Sequence, residues 1–187
     1  IIFLRGAQEE MFSKLLQLQL APNPTEILEW MFDHGVNETI KSYGFSENEV
    51  KKIASSGTIN ISKWTSNLNK AVHDNPGHVQ YFLNLKHAAY SCTKKILFVN
   101  RGVDISRPLS AQNDCFWWGY QNFSTMQQPY KTFLRIVRGY ESNHINQLEM
   151  SKKSIVCTLF KQPLSNNRIL CGIFGENGEI FDLFENK

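Results

Sequence analysis

Ile96-Leu97-Phe98-Val99-Asn100-Arg101-Gly102-Val103-Asp104 opens on an apolar run and passes through polar residues into a glycine-containing turn. Such a run reads as a short buried strand ending in a loop. Ala88 to Cys92 reads as a strand just before it, and Thr93-Lys94-Lys95 joins the two. Further strands are expected over Phe133 to Arg138, Ser154 to Phe160, Arg168 to Phe174 and Glu179 to Phe184. Gly175-Glu176-Asn177-Gly178 is a good hairpin turn between the last two.

Before about residue 87 the pattern changes to helical spacing. Met11, Phe12, Leu15, Leu16 and Leu18 place one apolar face over Gln8 to Gln19, and Pro22 and Pro24 stop it. Thr25 is the expected N-cap of the next helix, with Glu26 and Glu29 in its first turn and Gly35 at its end. A helix over Asn37 to Tyr43 follows, then one opened by Ser46 with Glu49 three residues on, a capping-box pattern. Ile61 to Val72 and His78 to Leu85 complete the series, separated by Pro76-Gly77. The opening Ile1-Ile2-Phe3-Leu4-Arg5-Gly6 reads as a buried strand running into a turn, and a start on a core strand points to something absent upstream. The order of a strand, a helical middle and then mostly strands is that of a layered α/β domain with an α+β tendency.

Composition excludes several classes. With 187 residues, 42% apolar and 12% aromatic, the chain can bury a core and is not a disordered segment. A net charge of +3 with scattered Lys and Arg gives no ground for a nucleic-acid partner. No apolar stretch is long enough to cross a bilayer, so no membrane is expected. Cys92, Cys115, Cys157 and Cys171 lack metal-site spacing and are expected as buried free thiols in a reducing compartment.

Four segments carry a resemblance. Phe3-Leu4-Arg5-Gly6-Ala7-Gln8-Glu9 resembles the FLRGNHE motif of the phosphoprotein-phosphatase group of calcineurin-like metallophosphoesterases. The Ile96 to Asp104 stretch resembles that group's LFVHAGID. Ser106-Arg107-Pro108-Leu109, with Gln112, Asp114 and Phe116-Trp117-Trp118-Gly119, resembles its SRPL…Q…D…LWG region. Ile136-Val137-Arg138-Gly139-Tyr140 stands where many members carry VVHGHT. The helical middle looks closest to an alphaproteobacterial-type branch.

The resemblance implies a single incomplete metallophosphoesterase-like domain over 1-187, helical over about 8-86 and sheet-rich over about 87-187. The first strand–helix–strand unit, with its Asp-bearing motifs, is expected to lie before residue 1. Members bind two divalent metals, Mn, Fe or Zn, which generate hydroxide and clamp phosphate. Here the Asn ligand of the family falls on Ala7, its general-acid His on Gln8, its first ligand His on Asn100, and its last His pair on Arg138 and Tyr140. Ala has no donor atom, Gln is no acid near neutral pH, and Arg stays protonated and repels a cation. No metal cofactor and no catalytic residue are therefore expected.

Arg5 is the one candidate for a residual phosphate contact, against a structural salt bridge. Glu9 reads either as a support of its loop or as a helix N-terminal carboxylate. Asp104 and Arg107 are expected to pair across a turn. His144 is the only histidine near the last motif and reads as a solvated loop residue. Trp117-Trp118 reads as a loop anchor before a ligand platform.

The function these residues imply is a catalytically silent, pseudophosphatase-like domain kept as a structural or protein-binding element, with a protein partner or self-association expected. The alternative is a metal-dependent phosphoesterase, of protein phosphatase or dinucleoside-polyphosphate hydrolase type, completed by an N-terminal part absent from this chain. A remnant with no selected role is disfavoured by the intact apolar periodicity and turn chemistry. A cytoplasmic setting is implied, or the mitochondrial matrix if the chain is organellar.

Overall fold

A computed structural model describes residues 1–119, 126–140, 155–160 and 170–185. It is a mixed α/β chain that divides into two compact units, a helical one over Ala7–Leu85 and a sheet-bearing one of Ile1–Gly6 with Lys86–Lys187.

The helical unit holds α1 (Ala7–Leu15), α2 (Pro24–Asp33), α3 (Val36–Ser42), α4 (Glu47–Ala54), α5 (Thr58–Asp74) and α6 (His78–Asn84). The longest, α5, buries Ile61, Trp64, Leu68 and Val72, a three-to-four-residue stripe that faces Phe12, Leu15 and Leu28 in one core. Each such side chain removed from water stabilises the unit by about 1.5–3 kcal/mol before entropy is counted.

Local chemistry corrects several expectations here. The first helix stops at Leu15, and Leu18–Leu20 forms a separate 3-10 turn. Pro24 takes the first position of α2, where its missing N–H costs nothing, so Asn23 rather than Thr25 is the N-cap. Thr25 instead donates its hydroxyl to the Ala54 carbonyl at 3.0 Å, tying α2 to the end of α4. Ser46 is the N-cap of α4 without a side-chain capping bond.

In the second unit, β1 (Ala88–Tyr90), β2 (Ile96–Val99), β3 (Arg135–Tyr140) and β4 (Val156–Phe160) form a sheet in that spatial order. The short Thr93-Lys94-Lys95 link allows only an antiparallel β1–β2 pair, whereas the long connection from β2 to β3 permits a parallel one. β3 and β4 are also parallel. A second, two-stranded sheet is the hairpin of β5 (Leu170–Phe174) and β6 (Ile180–Glu185).

The pleat assigns the faces. Ile96, Phe98 and Val137 share one face and pack with Phe174 and Ile180 of the hairpin. Leu97, Val99, Ile136 and Arg138 share the other, and all four are buried. Arg135 fastens the hairpin, because its Nε donates to the Gly178 carbonyl at 2.9 Å.

The expected opening strand is corrected. Only Leu4 makes a bridge, parallel to Lys86, while Ile1, Ile2 and Phe3 are exposed. An apolar run specifies burial only where a second layer covers it. The thiols are corrected as well. Cys115 is buried, but Cys92 sits in the exposed β1–β2 turn and Cys171 is exposed on β5. No helix among the described residues is long and apolar enough to cross a membrane.

The hairpin clamp yields a stability prediction. Gly178 has φ +90°, and a Cβ there would lie 2.6 Å from Cβ of Arg135. Gly178→Ala should therefore cost more than the ~1–2 kcal/mol of left-handed backbone strain alone. Denaturant unfolding reads this as a lowered midpoint, and an unchanged midpoint would contradict the clamp.

Candidate functional site

The parallel ladder brings together two of the positions that the resemblance marks. Val99 is in register with Arg138, and the Gly139 N–H donates to the Asn100 carbonyl at 3.2 Å. Asn100 is half-buried just beyond β2, and Arg138, on β3, is 4% exposed. Ligand sites of parallel sheets gather at such strand ends, where loops supply side chains. Tyr140 ends β3 in register with Phe160.

The loop after β2 is built by one buried amide. Gln112 accepts the Asp104 N–H at Oε1 (2.6 Å), and its Nε2 donates to the Asp104 carbonyl (2.8 Å). The same Nε2 lies 3.2 Å from the Arg107 carbonyl and 3.1 Å from the Tyr130 hydroxyl. Burial raises the Tyr130 pKa, so the hydroxyl keeps its proton and donates to the Arg107 carbonyl at 2.7 Å. Asp104 is buried, as its bonds require. Oδ1 accepts both the hydroxyl (2.6 Å) and the N–H (3.0 Å) of Ser106, and Oδ2 pairs with Nε of Arg107 at 2.9 Å. The Ser106 hydroxyl, above all, together with its N–H and the Arg107 guanidinium, holds this carboxyl below the usual range against the opposing effect of burial. Thus Asp104, Ser106, Arg107 and Gln112 fold the loop, and the expected Asp104–Arg107 pair is present.

Trp117 and Trp118 lie in the short α7 (Cys115–Trp118). Trp117 is buried with its ring edge-on to His87 at 5.2 Å, the anchor expected, whereas Trp118 is exposed. The Arg101 N–H donates to the Phe116 carbonyl at 2.8 Å, which ties α7 to the end of β2.

Ala7 and Gln8 are the first residues of α1 and belong to the helical unit. Gln8 donates Nε2 to the His34 carbonyl at 2.6 Å, at the C-terminus of α2, where the His34 ring stacks on Trp30 with centroids 4.1 Å apart. Glu9 accepts the Tyr81 hydroxyl at 3.4 Å in the first turn of α1. In the sheet-bearing unit the Arg5 N–H donates to the Lys86 carbonyl at 2.8 Å. His144 lies outside the described residues, as does the side chain of Tyr140.

Taken one by one, these residues are poor metal ligands. Ala7 has nothing to coordinate with, the Gln8 amide is turned to a carbonyl, and a guanidinium is buried at Arg138. A permanent positive charge at a strand end opposes a divalent cation.

Sequence reading missed the role of Tyr130 and the Gln112 bond set. Their one signal is a glutamine placed between the Pro108-Leu109 turn and an aromatic segment. It also missed an open groove of about 560 Å3 floored by Ile96, Phe98 and Phe174 and rimmed by Cys92, Thr93 and Glu176. No family model, no curated protein and no solved structure matches the chain.

The Asp104 turn makes a pH-dependent prediction. A carboxylate with a depressed folded pKa contributes stability above its unfolded pKa of about 3.9 and loses it as pH falls through the folded value. Ser106→Ala removes the largest cause, so at neutral pH the variant should unfold at lower urea than the parent. The gap should close as pH drops from about 4 towards 2. Urea midpoints across that range check it, and a gap independent of pH would contradict it.

Proposed function

We propose that this chain is a catalytically silent relative of the calcineurin-like metallophosphoesterases, of the phosphoprotein-phosphatase group, in which the β1–β4 sheet is the remaining catalytic layer. It serves as a structural or protein-binding element. The observation that supports this best is Arg138, a buried guanidinium on the strand end where the resemblance places a metal-binding histidine. Gln8 adds support, since its amide closes a helix terminus. Fold alone carries no activity, and an activity would have to come from the site. The exposed Ile1, Ile2 and Phe3 favour association with another protein or a second copy, because exposed apolar segments beside a strand bridge invite pairing. A cytoplasmic or mitochondrial-matrix setting goes with this reading.

Metal analysis of the purified chain after dialysis tests it. The expected result is no stoichiometric Mn, Fe or Zn and no hydrolysis of an aryl phosphate with added Mn. About two transition-metal ions per chain, the complement of a two-metal hydrolase, together with chelator-sensitive hydrolysis, would overturn it.

A further inference from the structure

Asn177-Gly178 is the one Asn-Gly pair in the sequence, and it sits at the tip of the β5–β6 hairpin. A glycine after asparagine leaves the next main-chain nitrogen unshielded, so that nitrogen can approach the side-chain amide carbon. Asparagine counts among the thermolabile residues. Hydrogen bonds hold this turn against such an attack. The attacking group, the Gly178 N–H, donates to the Gly175 carbonyl at 3.0 Å, and the Gly175 N–H donates to the Glu179 carbonyl at 2.8 Å. The Asn177 N–H donates to Oε2 of Glu179 at 3.2 Å, and the Gly178 carbonyl accepts Nε of Arg135 at 2.9 Å. The Thr93 hydroxyl donates to the Glu176 carbonyl at 3.0 Å, tying the hairpin tip to the β1–β2 turn. Asn177 is exposed to water, whereas Gly178 is buried against Arg135.

We propose that Asn177 is a site of spontaneous covalent modification, deamidated through a cyclic imide at a rate set by the Arg135 clamp. The Gly178 nitrogen attacks Cγ of Asn177 and gives up its proton as the new C–N bond forms. The Cγ–Nδ2 bond breaks and ammonia leaves. Water then opens the imide at one or the other carbonyl, giving aspartate or isoaspartate, and no oxidant or cofactor is consumed. Either product places a carboxylate between Glu176 and Glu179. Isoaspartate also adds a methylene to the main chain just before Gly178, displacing the carbonyl that Arg135 holds. Ring closure requires the Asn177–Gly178 peptide to rotate out of the turn. The reaction therefore proceeds from the opened hairpin, and its rate follows the open population. Once the open turn has reacted, the clamp does not re-form as before.

Peptide mapping by mass spectrometry tests the proposal on the full chain and on a synthetic peptide of Gly172 to Phe181, both held at mildly alkaline pH. The chain is expected to convert at Asn177 about tenfold or more slowly than the peptide, the protection given by a locally stable hairpin. Arg135→Gln should bring the chain most of the way to the peptide's rate, and Thr93→Val should raise the rate by a smaller factor. A parent chain as fast as the peptide overturns the proposal, and so does a rate unmoved by Arg135→Gln. If Arg135→Gln unfolds the sheet by circular dichroism, the Thr93→Val rate decides in the same way. If the parent converts too slowly to measure, conversion at Asn177 in the folded variant supports the proposal, and its absence there overturns it.

Discussion

The parallel hydrogen-bonded ladder between β2 and β3 constrains most of the sheet-bearing unit. Aligning Val99 with Arg138 fixes the pleat, and the pleat then decides which side chains meet the hairpin and which are buried on the opposite face. A slip of one residue would move Arg138 to the hairpin side and expel Val137 from its cluster. The ladder also ends both strands at one edge, where the Gln112-built loop begins. The loop would not begin at that place without it.

The same ladder sets a buried guanidinium, that of Arg138, in a rigid framework. A charge is expensive to bury unless the surrounding framework is rigid and supplies hydrogen-bond partners. Here the strand is flanked on both sides, by β2 and β4, and the adjoining loop is closed by bonds from Gln112, Tyr130 and Ser106. The residues that look most like catalytic signatures in the sequence therefore divide by what they do. Asp104, Ser106, Arg107 and Gln112 are spent on loop architecture. Arg138 and Asn100 lie at the strand ends where the proposed function puts the silent site.

Much of the fold was legible because local patterns and tertiary environment agree. The α5 stripe, the β2 run and the Gly175–Gly178 turn each carry a signal that needs no distant partner. β3 begins at Arg135, two residues later than its apolar run implies, because Phe133 bridges back to Tyr130 and its ring packs in that turn. Ile1, Ile2 and Phe3 read as core for the same apolar reason and are exposed, since nothing in a short run says whether a covering layer exists. Cys92 and Cys171 mislead in the same way: cysteine favours burial on average, but one lies in a tight turn and the other on a two-stranded hairpin. The Gln112 network was illegible because it joins residues up to 23 apart through side chains, with no periodicity to betray it.

Central to the proposed function is that the strand ends around Asn100 and Arg138 hold no divalent metal. Paramagnetic line broadening by Mn2+ in amide spectra of the isotope-labelled chain reads this residue by residue. The account predicts only weak, diffuse broadening at exposed carboxylates, with the Asn100, Arg101 and Gly139 amide signals unaffected at stoichiometric metal. Selective loss of those three signals at one equivalent of Mn2+ would place a metal at the strand ends and contradict it.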